Sequence, residues 1–258
     1  MINQLLAFLF LASAPAVAAT TASTDSQICD SAGRDQAYPP IRAYGATVCF
    51  LYIEKVAGRK SPLSVDPPGI AIYSISQDGK LTLAYELPYA GTSGKIDDAF
   101  LLSVHGDPNK RLFVIQSTDT PSTWEIISRA YDVTVMKFSN GTISQDKSAS
   151  HFFDGGGDFA DTKGGLTYQF PYKDRKSIER AVISPLFQLA HSSTQVEGKI
   201  KERTLLYHGP YLHEVSKMYL IKDDHVKVED STAGWCKVSY LSKKRTITMW
   251  VQCKNILF

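Results

Sequence analysis

Apolar and polar positions alternate along most of the chain between residues 41 and 145, and this pattern predicts β-strands. The segment 47–53 is β-branched and aromatic, and 131–138 alternates between apolar and polar residues over most of its length. Alternation places successive side chains on opposite faces of a sheet. At least six strands are predicted before residue 150, which fits either a β-sandwich or a few propeller-like blades. The chain shows no internal repeat, which argues against a full propeller.

Turn residues separate these strands and predict antiparallel hairpins. Asp-Gly and Asn-Gly pairs adopt the backbone conformation that two-residue hairpin loops require. The predicted hairpins are 70–75 with 81–85 around the turn 77–80, 100–104 with 112–116 around the turn 107–110, and a third that turns at Asn140–Gly141.

Helical periodicity is confined to a short region that follows a glycine-dense segment. Asp174 is suited to cap a helix over 174–183, Pro185 is suited to end it, and 186–190 can add a second short turn. The preceding segment, 154–165, is predicted to be a loop. Apolar periodicity then fails at 191–201, which predicts a linker.

The last part of the chain is a series of short strands and tight turns. Its order is a first strand at 204–208, a long loop, an acidic turn at Asp223–Asp224, Trp235 followed by Val238, and Trp250 followed by Val251. In this order the segment 203–257 resembles a bacterial SH3-like barrel. The resemblance covers about a fifth of the chain and implies a binding module.

The resemblance also implies where a ligand would bind. SH3-like barrels hold extended peptides in a shallow groove of aromatic residues beside the long first loop. Carried onto this sequence, that groove comprises Tyr207, Tyr211, Tyr219, Trp235 and Trp250. The alternative is that Trp235 and Tyr219 fill the small core of the barrel.

The predicted fold is therefore mainly β. It combines a β-sandwich-like or meandering N-terminal domain, one short helix region and a C-terminal SH3-like barrel. The predicted boundaries are 1–19 for a signal peptide, 20–40 for a loosely ordered segment, 41–190 for the β-rich domain, 191–201 for the linker and 202–258 for the barrel.

The N-terminal residues predict export. Residues 2–19 carry no charge, 5–12 form a short apolar core, and small residues at 14–19 suit a signal peptidase. We therefore expect a periplasmic protein that has no membrane attachment after cleavage. The alternative is a short membrane anchor, although the apolar core is too short to span a bilayer.

Four cysteines fit an exported protein, in which disulfides persist. Three pairings are conceivable, and the economical one joins Cys29 to Cys49 and Cys236 to Cys253. Each cysteine of the second pair shares a strand face with a valine two residues away, so both can point into the barrel. The alternatives are four free thiols, or metal ligation without any C-x-x-C spacing.

The net charge and its distribution limit the classes of molecule that the protein is expected to bind. The formal net charge is +2, which argues against nucleic-acid binding. The positive excess lies in the barrel segment, where 243–245 predicts an exposed hairpin tip that is either a solvated turn or a rim for an anionic partner.

Asp154, Asp158 and Asp161 crowd oxygen ligands into the glycine-dense loop, which either holds calcium or contacts a partner. No other cofactor is predicted.

Catalytic motifs are absent from the sequence. It contains neither Gly-x-Ser-x-Gly nor His-Glu-x-x-His, and its histidines are not spaced as metal ligands. The one polar cluster that a hydrolase could use would join His208, His213 and either Asp223 or Asp224.

We therefore expect a non-enzymatic periplasmic binding protein that acts through protein–protein contacts. One concrete form is an immunity or inhibitor protein that blocks a secreted effector through loops such as 154–165. The first alternative is a cell-wall module whose barrel binds peptidoglycan stem peptides, and the second is an uncharacterised hydrolase.

Overall fold

The computed structural model describes residues 28–30, 33–53, 69–89, 91, 94–121, 126–161, 163–190, 195–242 and 245–258. Within them the protein is mainly β, with several antiparallel sheets and few helices, which confirms the predicted fold class. The predicted signal peptide, part of the predicted loosely ordered segment, and Lys243 and Lys244 of the predicted hairpin tip lie outside the described residues.

The first sheet is a four-stranded antiparallel meander in chain order. Neighbouring strands in the sequence are hydrogen-bonded to one another, as expected where short turns join strands. Its strands are β1 (Gln36–Ala43), β2 (Ala46–Ile53), β3 (Gly69–Ile75) and β4 (Leu81–Glu86). The predicted hairpin around the turn 77–80 is confirmed by β3 and β4.

The second sheet has six strands, in the order β10-β9-β7-β6-β5, with β8 also paired to β7. Asn140 and Gly141, with φ of 49° and 73°, form the predicted tight turn between β7 and β8. The strands are β5 (Gly94–Leu102), β6 (Arg111–Asp119), β7 (Ile126–Ser139), β8 (Thr142–Gln145), β9 (Gly155–Ala160) and β10 (Leu166–Tyr168).

The third sheet has seven strands and curls into a half barrel. Its strand order is β13-β12-β16-β15-β14-β11-β17. The strands are β11 (Val196–Ile200), β12 (Thr204–Tyr207), β13 (Val215–Leu220), β14 (His225–Thr232), β15 (Trp235–Ser242), β16 (Arg245–Gln252) and β17 (Ile256–Leu257).

Three short α-helices follow β8 in the sequence, the first between β8 and β9 and the other two between β10 and β11. They are α1 (Lys147–Phe153), α2 (Arg175–Val182) and α3 (Pro185–Leu189). As predicted, Asp174 caps α2 by accepting a hydrogen bond from the Ser177 amide. Helix α1 was not predicted, although Asp146 caps it in the same way through the Ala149 amide.

The second sheet is the middle layer, and both of its faces are buried. On β6, Leu112 and Val114 pack into a core shared with the first sheet. Phe113 and Ile115 point to the other side and pack with the helices and the third sheet. Burial on both faces explains why β6 is a continuous apolar run instead of an alternating one.

One hydrophobic core joins the second sheet, the helices and the third sheet. It includes Val133 of β7, Phe153 of α1, Val226 of β14 and Trp235 of β15. The segments predicted as a β-rich domain and a separate barrel therefore share their main core, because each covers apolar surface that the other would expose.

Two segments predicted to lack regular structure contain strands. Val196–Ile200, inside the predicted linker, forms β11 and pairs with β14 and β17. Gly155–Ala160, inside the predicted glycine loop, forms β9 and pairs with β7. Glycines in both segments weaken the apolar alternation by which a strand is recognised in the sequence. Both segments are extended because they form hydrogen bonds with neighbouring strands. Strand β1 likewise begins at Gln36, within the segment predicted to be loosely ordered.

Both predicted disulfides are formed. Cys29 bonds to Cys49 with a Cα–Cα distance of 5.7 Å, and Cys236 bonds to Cys253 with a distance of 5.1 Å. Among the described residues, no helix combines the length and the apolar character needed to cross a membrane.

Candidate functional site

A cavity of about 620 Å³ lies between the second and third sheets. Its volume falls within the range of small-ligand sites, about 300–1,000 Å³. Its wall is mainly aromatic and apolar, with two carboxylates, one amide and one imidazole. The principal lining residues are Pro88, Gln116, Tyr131, Asp132, Asp154, Gly155, Gly156, Phe159, Tyr168, Tyr211, His213, Thr232 and Trp235.

Strand pairing brings one wall of the cavity together. Asp132 and Tyr131 of β7 lie opposite Gly155 and Gly156 of β9. A Cβ atom on Gly155 would lie 3.2 Å from Oδ2 of Asp132, and one on Gly156 would lie 2.7 Å from the Phe170 ring. The glycines therefore leave space that the carboxylate and the ring occupy.

Asp154 occupies the junction between α1 and β9. It caps the C-terminus of α1 with φ of 47° and ψ of −160°, a conformation that non-glycine residues seldom adopt. Its carboxylate accepts a hydrogen bond from the Gly155 amide, and the other oxygen lies 3.2 Å from the Thr232 hydroxyl. Asp154 is thereby held at the edge of the cavity.

Asp132 is the electrostatically perturbed residue of the cavity. Burial is the main reason that the pKa of its carboxyl is raised to about 6, and the neighbouring charge of Asp154 contributes to this increase. A hydrogen bond from the Thr134 hydroxyl, 3.1 Å from Oδ1, acts in the opposite direction. Asp132 therefore changes its charge near pH 6 in the folded protein.

Aromatic side chains form the opposite wall. Trp235 is 3% exposed, and its ring stacks on Tyr168 with centroids 5.5 Å apart. The Tyr168 hydroxyl donates a hydrogen bond to the Ala233 carbonyl. Burial raises the pKa of Tyr168 well above its ordinary value, so this group stays protonated. The hydrogen bond fixes Tyr168, and the stacked rings provide a rigid surface.

Gln116 contributes a buried amide to the cavity wall. Its residue is 5% exposed, and its Nε2 donates a hydrogen bond to the Pro88 carbonyl over 3.1 Å. Among the described residues, the Oε1 atom of Gln116 has no hydrogen-bond partner. This acceptor is shielded from solvent, so it is an unusual buried polar atom without a partner within the wall of the cavity.

The rim of the cavity comes from the loop between β12 and β13. Tyr211 is 55% exposed and stacks on the His213 imidazole with centroids 5.6 Å apart. The short 3-10 helix Leu212–Glu214 positions these two rings. The predicted aromatic loop thus borders the cavity with one tyrosine and one histidine.

The predicted aromatic groove is divided in the structure. Tyr211 and Trp235 line the cavity. Tyr207 packs edge-on against Trp235, and Trp250 packs against the main core. Tyr219 lies elsewhere on the surface, where the Arg203 guanidinium sits 4.2 Å from its ring centroid. These five residues therefore do not form one continuous groove.

The three aspartates of the glycine-dense segment have separate partners. Asp158 accepts hydrogen bonds from the Phe170 amide and from Lys173, and Asp161 accepts from the amides of Lys163 and Gly165. Asp154 alone lines the cavity. Among the described residues, no group of three or more histidine, cysteine or carboxylate side chains is placed to hold a metal ion.

The polar cluster considered for a hydrolase is not assembled. His208 and His213 are exposed, and Asp223 is an exposed turn residue with φ of 68°. Asp224 accepts a hydrogen bond from the Ile221 amide within the same turn. Asp223 and Asp224 belong to the turn between β13 and β14, whereas His208 and His213 belong to the loop between β12 and β13.

Sequence patterns missed several residues of the cavity, among them Gln116, Tyr131, Asp132 and Tyr168. On β7, alternation assigns Asp132 simply to a polar face. On β6, Gln116 follows a continuous apolar run that gives no sign of a cavity. One weak signal was present, because three consecutive glycines at 155–157 allow a close approach of other groups.

No protein-family model, curated protein or solved structure matches this chain. The resemblance of 203–257 to an SH3-like barrel therefore stays a prediction.

Proposed function

We propose that this protein is a non-enzymatic binding protein that is exported to an oxidising compartment. We further propose that a chemical group of a partner protein enters the cavity. The observation that carries the proposal is the cavity itself, with its rigid aromatic wall, its two carboxylates and its aromatic rim. Sites that bind ligands combine apolar walls with a few converging polar groups in this way.

Two further observations support the proposal. The two disulfides fit an oxidising compartment. Exposed aromatic residues such as Tyr211 are enriched where proteins contact one another, because they bury a large area at a low cost in conformational entropy. In the most concrete form of the proposal, the partner is a secreted effector that this protein inhibits.

Tyr211 and Tyr219 offer a matched pair of variants to test this proposal. Both belong to the third sheet and its loops, and they are 55% and 49% exposed, respectively. Only Tyr211 lines the cavity. An alanine at either position removes an exposed ring without opening a buried core.

The experiment is affinity capture from a periplasmic extract with the wild type, Tyr211→Ala and Tyr219→Ala, followed by quantitative mass spectrometry. We expect a stoichiometric partner that Tyr211→Ala loses at least tenfold and Tyr219→Ala retains. Equal loss with both variants would instead show that the partner also contacts the surface around Tyr219, outside the cavity. A partner retained by both variants, or no partner at all, would refute the cavity as the binding site.

A hydrolase is the second candidate, because one observation favours it. Asp132, whose pKa is raised to about 6, lies beside Asp154 at the cavity, and such pairs can supply an acid and a base. Assays with p-nitrophenyl glycosides would test this function. Turnover that disappears in both Asp132→Asn and Asp154→Asn would support it, and absence of turnover by the wild type would argue against it.

A further inference from the structure

Among the residues that the structure describes, the two cavity carboxylates lack a positively charged partner. Asp132 and Asp154 lie on neighbouring segments, since Asp132 pairs with Gly155 across the sheet. The Val133 amide also donates to the Asp154 carbonyl over 3.3 Å. Within the described part of the chain, no lysine, arginine or histidine nitrogen lies within 4.0 Å of either carboxylate. Two neighbouring negative charges without a counter-ion favour a cationic ligand.

Two further polar atoms of the cavity wall have no proton to donate to a ligand. The Gln116 Oε1 atom has no partner among the described residues, and the Tyr168 hydroxyl proton is already donated to Ala233. An ammonium group carries three N–H donors and no acceptor. Its hydrogen-bonding groups therefore complement this set of oxygens, whereas a neutral hydroxyl could donate only one hydrogen bond.

The aromatic wall suits the rest of such a ligand. Tyr131, Phe159, Tyr168 and Trp235 all line the cavity. Aromatic faces attract cations, with tryptophan the strongest, and the rings also bury an apolar stem. A cation carried on a short hydrocarbon chain would use both properties of the wall.

We propose that the cavity binds a primary ammonium group carried on an apolar stem, such as that of a lysine side chain, with Asp132 and Asp154 as its counter-ions. This inference rests on the proposed function, because it names the chemical group by which a partner enters the cavity. A carbohydrate, which is neutral and rich in hydroxyl groups, is the outcome that the test below separates from it.

Protons compete with the cation at this site. Titratable groups from several elements surround Asp132. Within the cavity these are Asp154, Tyr168 and the rim residue His213. A smaller pocket adjoins the cavity at Asp132 and adds Tyr85, Lys147 and His151. Burial holds the pKa of Asp132 at about 6, so a cation that binds near pH 6 displaces a proton from its carboxyl. Ligand affinity should therefore fall as the pH decreases from 7.5 to 5.

The test uses two probes of equal shape, n-butylammonium and 1-butanol, with the purified mature protein. Calorimetric and NMR titrations at pH 7.5 should give at least tenfold tighter binding for n-butylammonium, with a shift of the Trp235 indole N–H signal. At pH 6, calorimetry in buffers of different ionisation enthalpy should detect proton release. Equal affinity for the two probes, or no binding of n-butylammonium, would overturn the proposal.

Two isosteric variants locate the site. Asp132→Asn removes a cavity carboxylate, and Asp223→Asn removes an exposed turn carboxylate at a position whose positive φ also suits asparagine. We expect at least a tenfold loss of n-butylammonium affinity and loss of proton release in the first variant, and neither in the second. Equal behaviour of the two variants would overturn the assignment of Asp132.

The two proposals can fail separately. If Tyr211→Ala loses the captured partner while n-butylammonium does not bind, the cation assignment is wrong and the cavity remains a partner site. If n-butylammonium binds as expected while partner capture does not depend on Tyr211, the cation site stands and the role of the cavity in protein binding is wrong.

Discussion

The Arg111 guanidinium lies 2.7 Å from the Asp146 carboxylate, and both side chains are about nine-tenths buried. Asp146 also caps helix α1, which contributes Phe152 and Phe153 to the main core. Arg111 has a second carboxylate partner in Asp107. The ion pair therefore connects β6 to the start of α1.

Replacing Arg111 by methionine should lower the free energy of unfolding by about 3 kcal/mol, because it leaves the Asp146 carboxylate buried without its partner. Urea denaturation measures this change. Arg129→Met is the control, since Arg129 pairs with Asp119 while its side chain is 38% exposed and that of Asp119 is 79% exposed. The control should change stability by less than about 1 kcal/mol. Equal losses of stability in the two variants would contradict the stabilising role assigned to the Arg111–Asp146 ion pair.

Asp132 should make the protein less stable as the pH rises from about 4 to about 7. Its folded pKa of about 6 exceeds the ordinary value of 3.8, so in this window the folded state binds more protons than the unfolded state. The loss amounts to at most about 3 kcal/mol. Urea denaturation at pH 4.5 and pH 7.5 should show Asp132→Asn gaining stability relative to the wild type at the higher pH. If the free energy of unfolding had the same pH dependence in the wild type and in Asp132→Asn, Asp132 would not be the cause of the pH-dependent loss of stability.

Gly156 should not tolerate even alanine, because the added Cβ would lie 2.7 Å from the buried Phe170 ring. We expect Gly156→Ala to destabilise the protein by about 1–3 kcal/mol. Phe170→Leu should relieve part of this effect, so the double variant should lose less stability than the sum of the single losses. Strict additivity, measured by thermal or urea denaturation, would show that the two positions do not interact.

The disulfide between Cys236 and Cys253 should stabilise the protein by about 3 kcal/mol, as expected for a loop of 17 residues. The double variant Cys236→Ala, Cys253→Ala should show this loss in urea denaturation. The Cys29–Cys49 bridge closes a loop of 20 residues and should give a similar loss. A variant that lacks all four cysteines should not respond to dithiothreitol, and a response would show that the reductant acts elsewhere.

Local sequence patterns predicted much of the fold. The hairpins β3–β4, β5–β6 and β7–β8 were predicted because turn residues separate strand-like segments rich in apolar and aromatic residues. Helix α2 was predicted from its Asp174 cap, and the two disulfides from cysteine spacing and strand faces. Each of these features depends on residues close in sequence or on the geometry of adjacent strands.

The candidate site was predicted only in fragments. Asp154, Tyr211 and Trp235 were each singled out, but for a calcium loop or a peptide groove rather than for one cavity. Asp132 and Gln116 were missed. Alternation assigns Asp132 to a polar face and does not tell whether that face meets solvent or a buried cavity. Gln116 follows the continuous apolar run of β6, which carries no such signal either.

The sequence by itself determined the strands and tight turns of the hairpins, the Asp174 cap and the cysteine pairs, because propensity, alternation and turn chemistry act over a few residues. Only the tertiary structure decided that the second and third sheets share one core, that the glycine segment pairs as β9, and that two carboxylates lie beside an aromatic cavity. Those features arise from contacts between segments far apart in the chain, where burial and strand pairing outweigh local preference.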